Sequence, residues 1–220
     1  NITSKNYQRL EKHPKKDIST QKTFELAQAQ DRTIVSFRQA TNTSGELDDN
    51  IIALERSFDA AGVSTDEAGD AIQSLFFNVN DFNTMSEEQQ RILGETVVVL
   101  QELGVKADTV AQNLQFATKV MGMSTSQAEG LQRELFDLAR GLGLSADQVA
   151  SDFKKLGPQL AALGAQGVDA FRELETQAKS TGIAIDDLVS IASKFDTFDS
   201  AAQSVGRLNA LLGGPFVNSL

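Results

Sequence analysis

Cysteine and tryptophan are absent from this sequence, and tyrosine and histidine occur once each. Without cysteine there is no disulfide framework, thiolate zinc site, iron–sulfur cluster or cysteine nucleophile. With only His13, in the basic leader, a Ser–His–Asp triad is nearly excluded, and so is any multi-histidine metal site. No uncharged apolar run reaches the length of about 18 residues that a membrane helix requires. The longest candidate near the middle, LGPQLAALGAQGV from Leu156 to Val168, is short and carries Gln159 and Gln166. The N-terminus is polar and lacks the apolar core of a signal peptide. The chain does not start with Met and reads as a piece of something longer. These absences point to a soluble, non-enzymatic protein without cofactor or metal.

What is present is charge and helix. The 220 residues carry a formal charge of -10. Residues 1–22 hold Lys5, Arg9, Lys12, Lys15, Lys16 and Lys22 against Glu11 and Asp17, a net of +4, which leaves -14 on the remainder. An acidic body opposes general nucleic-acid binding, because phosphate neutralisation needs Lys and Arg. Apolar residues recur at three- and four-residue spacing, as in Leu131, Leu135, Leu138 and Leu142, or Val149, Phe153, Leu156, Leu160 and Leu163. That is helix periodicity rather than strand alternation. The β-flavoured run Thr96–Leu100 lies between flanks with helical spacing and reads as a buried helix turn.

The punctuation is equally regular. Glycine, an apolar residue and a short polar step precede each new helix, in GVSTDEAGDAI from Gly62, GVKADTVAQNL from Gly104, GMSTSQAEGLQ from Gly122, GLSADQVASDF from Gly143 and GIAIDDLVSIA from Gly182. Glycine enters the left-handed region that ends a helix. Ser64 with Glu67, Ser124 with Gln127, and Ser145 with Gln148 fit the reciprocal capping box that starts the next one. The glycines are spaced by 42, 18, 21 and 39 residues, near multiples of twenty. A duplicated repeat and a shared capping grammar both explain this. The expected fold is all-α, an array of about eight to ten short helices with Gly/Ser-capped turns, elongated or bundle-like. Its expected divisions are a basic leader over 1–22, extended or partly disordered, a helical segment over 23–85 and a multi-helix domain over 86–220. Phe116, Phe136, Phe153, Phe171 and Phe195 fall once per proposed helix and are expected to anchor packing or a partner interface.

Tests for chemistry give little. Gly141–Ala146 matches GxGxxA, but a helix rather than a strand precedes it and residue 166 is Gln. Asn78–Gln89 lacks the central glycine and final glutamate of a calcium loop. Asp48-Asp49 and Asp186-Asp187 stand at helix starts, where the dipole favours them.

Three stretches resemble phage tail tape measure proteins and related large virion structural proteins. They are GMSTSQAEGLQRELFDLARGLG at 122–143, GLSADQVASDFKKLGPQLAALG at 143–164, and FDTFDSAAQSVGRLNALLGGPFVNSL at 195–220. The resemblance implies a segment of a long chain inside the tail tube or on the baseplate or hub. It implies self-association as a trimer or other small ring, contacts with tube and hub proteins, and transient proximity to DNA. The roles implied are tail assembly, tail-length determination and genome ejection, after synthesis in the host cytoplasm. A virion-associated peptidoglycan hydrolase and a membrane-active module are the alternatives.

Overall fold

A computed structural model describes residues 14–188. Among the described residues the chain is all-helical, with eight α-helices and three short 3-10 turns. α1 spans Pro14–Thr41, α2 Asp48–Phe58, α3 Thr65–Asn78 and α4 Glu87–Glu102. α5 spans Ala107–Lys119, α6 Thr125–Leu142, α7 Ala146–Ala162 and α8 Gly167–Thr181. The 3-10 turns Asp59–Ala61, Phe82–Thr84 and Gly164–Gln166 lie between them. Thr96–Leu100 is the helical turn its flanks implied: Val97 and Val98 are fully buried within α4.

The helices alternate between two layers. α1, α3, α5 and α7 stack side by side in one; α2, α4, α6 and α8 form the other. Substantial packing joins each helix only to those one or two places away in sequence. This is the connectivity of an α-solenoid, whose repeats touch only their neighbours. The odd-numbered layer is tight and the even-numbered layer is splayed.

Left-handed residues mark both ends of this array. Gly62, Gly104, Gly143 and Gly182 have φ of 92°, 87°, 63° and 70° and end α2, α4, α6 and α8. They stand 42, 39 and 39 residues apart. At the opposite end, the turns after α1, α3, α5 and α7 hold Asn42, Asp81, Gly122 and Gly164, with φ of 55°, 64°, 70° and 56°. The period is therefore about forty residues, one helical hairpin. The interleaved spacings of 18 and 21 arise because Gly122 belongs to the second series.

α1 runs without a break from Pro14 through residue 22 to Thr41. One hydrophobic cluster reaches from Phe37 to Ile185 across residues 85 and 86.

Small residues set the tightness of the odd layer. Ala68 and Gly69 on α3, Ala111 on α5 and Ala150 on α7 are buried where these helices meet. A Cβ added to Gly69 would lie 2.4 Å from Cγ2 of Thr33 on α1. Threonine is stiff about χ1 and can yield little. Gly69→Ala is therefore expected to destabilise the fold by about 1–3 kcal/mol. Gly130→Ala, at a helical site with nothing within 4 Å, should stabilise it by about 0.4–1 kcal/mol. Urea unfolding of the two variants checks the opposite signs.

Candidate interaction surfaces

The cap residues identified in the sequence stand where helices start. Ser64 Oγ accepts from Glu67 N at 3.2 Å while Glu67 Oε2 accepts from Ser64 N at 2.7 Å. Ser124 and Gln127 make the same reciprocal pair, as do Ser86 and Gln89. Ser145 departs from the expectation. Its Oγ accepts from Gln148 N at 3.1 Å, but the cap has only this one half of the box. The bonds to Ser64 hold the Glu67 carboxyl below its ordinary pKa. These caps shape the array.

The phenylalanines divide into two uses. Phe153 and Phe171 are fully buried, and Phe153 stacks edge-to-face on both Phe116 and Phe171. Phe116 packs half-buried against the core. Phe136 is half-buried too, but it opens onto a surface groove. Phe195 lies outside the described residues. Met121 and Met123, beside the Gly122 turn, are partly buried against the core.

Gly141–Ala146 is the turn between α6 and α7, with helix on both sides, and lacks the strand a dinucleotide turn requires. Asn78–Gln89 folds as the end of α3, a 3-10 turn and the Ser86 cap. Among the described residues no group of three or more His, Asp or Glu is placed to hold a metal ion. No described helix is long and apolar enough to cross a membrane.

Comparison with protein-family models, with curated proteins and with solved structures finds no match. The surface itself therefore carries the functional argument.

Two surface features follow the repeat. The first is a row of aspartates, four residues after each turn glycine: Asp66, Asp108, Asp147 and Asp186. Each accepts a hydrogen bond from the preceding hairpin. Asp66 binds the Thr33 hydroxyl. Asp108 binds Asn78 Nδ2 at 3.1 Å, Asp147 binds the Lys106 backbone N–H at 3.1 Å, and Asp186 binds Lys155 Nζ at 3.1 Å. Such exposed polar clasps each contribute about 0–1 kcal/mol, so they set register more than stability. Sequence reading explained Asp186 by the helix dipole alone. The signal that would have exposed the row is its constant offset from the glycines.

The second feature is a set of grooves between the splayed even-numbered helices. One has a volume of about 360 Å³ and lies where α2, α4 and α6 diverge. Phe58, Val99, Leu103 and Phe136 form its apolar wall. Val99 and Leu103 are 43% and 46% exposed, high for aliphatic side chains of a packed helix. Glu95, Glu129, Asp137 and Arg133 rim it. Each of these acids has an arginine partner: Glu129 pairs with Arg133, Glu95 with Arg91 and Asp137 with Arg140. The neighbouring groove between α2 and α4 is also acid-rimmed, by Glu46, Asp49, Glu87 and Glu95 with Arg91. Arg91 is bound by Glu88 and Glu95 at 2.6 Å each.

Proposed function

We propose that this chain is a packing segment of a phage tail tape measure protein. It is held inside the tail tube or on its hub and acts through surface association rather than catalysis. One observation carries the reading. A linear array of helical hairpins presents repeated apolar grooves rimmed by acidic residues, and two of the three stretches that carry the family resemblance, 122–143 and 143–164, form its helices α6 and α7. Short hairpins differ from a continuous coiled-coil ruler. This segment therefore fits an ordered region docked on tube or hub proteins better than the length-measuring rod itself. An acidic surface beside exiting DNA also repels phosphate and keeps the path free of sticking.

The test is to purify tail particles from cells that produce the parent protein and to digest them for mass spectrometry. Peptides from residues 107–181 should be recovered in stoichiometric ratio to tube or hub proteins. Their absence from intact particles would overturn the assignment. Peptidoglycan clearing by the isolated 220-residue chain, lost on substitution of a single Glu, would replace it with the hydrolase reading.

A further inference from the structure

We infer that α8 is a proton-controlled latch on α7. It is held closed while the Glu175 carboxyl carries a proton, and loss of that proton favours its local opening ahead of the rest of the array. The latch is independent of the tape measure reading.

The starting point is one carboxyl group. Glu175 is buried, and its Oε1 finds no hydrogen-bond partner among the described residues. A buried acid without a donor is favoured in its neutral form, because the ionised form loses its hydration and gains no bond in return. Glu55, also seven residues before a turn glycine and also buried, receives a bond from Gln30 Nε2 at 3.1 Å. The Glu175 Oε1 has no such donor.

The charged surroundings strengthen the preference. From α7, Asp152 and Lys155 act on Glu175. Asp152 is itself buried, and its Oδ1 accepts from Lys155 Nζ at 3.0 Å. The same ammonium donates to Asp186 Oδ2, beyond the end of α8, at 3.1 Å. Lys155 is thus shared between two other carboxylates. From α6, Glu134 reaches α8 but pairs with Arg172 at 3.5 Å. On α8 itself, Arg172 is also bound by Asp169 at 2.7 Å, and Lys179 is exposed. The 3-10 turn Gly164–Gln166 carries no charged residue. Burial first, and Asp152 second, raise the Glu175 carboxyl to about 7, against the opposing influence of Lys155.

Topology makes the response local. Among the described residues, the substantial helix packing of α8 is on α7 and α6. Its anchors there include Leu174 and Phe171, whose ring centroid lies 5.1 Å from that of Phe153. The turns that bound α8 hold Gly164 and Gly182, at φ of 56° and 70°. In an array whose units touch only their neighbours, one helix can open while distant hairpins stay folded. Opening gives the Glu175 carboxyl to water and returns it to its ordinary value of 4.5. Between 4.5 and about 7 the closed helix therefore keeps a proton that the opened helix releases, so opening grows more favourable as pH rises through this window.

Hydrogen exchange of the 220-residue chain, resolved by peptide under conditions where reclosing outpaces exchange, tests this. α2 serves as the internal reference, because the chemical exchange rate rises with pH in both helices alike. Between pH 5 and pH 8, α8 should lose about seventyfold more protection than α2. Glu175→Gln and Glu175→Met, which cannot ionise there, should each keep the two helices within about threefold of one another. Equal loss in α2 and α8 of the parent protein overturns the inference, since the proton would then act on the whole fold. So does constant protection in α8 across this range. A preferential loss in α8 that survives in both Glu175 variants overturns it as well.

Discussion

Phe153→Ala is expected to destabilise the protein by about 3–5 kcal/mol and to lower the melting temperature by about 10 °C. Phe153 on α7 is fully buried and lies between two edge-to-face partners. The centroid of Phe116, on α5, is 5.8 Å away, and that of Phe171, on α8, is 5.1 Å away. Its ring therefore joins two successive hairpins, and removing it leaves a cavity that the flanking helices can close only by moving. The damage should also be local. Substantial packing runs only between helices one and two places apart, so α1 to α3 share none of this loss. Hydrogen exchange should report lost protection in α7 and α8 first, with α1 and α2 least affected. Uniform loss across all eight helices would contradict a nearest-neighbour array.

The second large effect is on pH. Glu175 on α8 is 1% exposed, and its Oε1 has no hydrogen-bond partner among the described residues. Burial, and then the negative charge of Asp152, push its carboxyl up to about 7, while Lys155 opposes the shift. The sign follows from where the proton is held. Between the ordinary value of 4.5 and about 7 the folded protein keeps a proton that the unfolded chain releases. This group therefore favours folding fully below about pH 4.5, costs stability progressively as pH rises through 7, and adds no further loss above that. At about 1.4 kcal/mol per pKa unit, the total is of order 3 kcal/mol. Glu175→Gln should match the parent protein near pH 4.5 and exceed it by about 2–3 kcal/mol at pH 8. Urea unfolding at both values measures the difference. An equal offset at both would show that the carboxyl does not titrate in this range.

Glu175 also shows how the repeat is used unevenly. The residue seven positions before each turn glycine is Glu55, Val97, Phe136 and Glu175. Glu55 and Val97 are buried in the interior, and Glu55 accepts a bond from Gln30 Nε2 at 3.1 Å. Phe136 instead opens onto the groove. One structural position thus holds a paired acid, an aliphatic side chain, an aromatic surface and an unpaired acid, and composition alone does not rank these roles.

The stops and starts of the helices were legible because they rest on local physics. A glycine at positive φ and a serine accepting from the third residue of a helix need only a few neighbouring residues. The helix class and the helical character of TVVVL were legible for the same reason, but Val99, expected to be buried with its neighbours, is 43% exposed. The repeat was half-hidden because Asn42 and Asp81 occupy the left-handed region that Gly122 and Gly164 fill in later hairpins. Asparagine and aspartate tolerate that region through short polar side chains, so a search by glycine alone finds an irregular series.

The sequence by itself therefore determined an all-helical chain, its turn chemistry and its separation into a basic start and an acidic body. Only the tertiary structure decided that alternate helices form two layers, that one layer is tight and the other splayed, and that Phe136 faces a groove while Phe153 is sealed within the core. The reason is range. Caps, turns and periodicity are settled within a few residues. Which helix packs on which depends on contacts about one hairpin apart, such as Gly69 against Thr33, where the side chain missing from one residue permits the approach of the other.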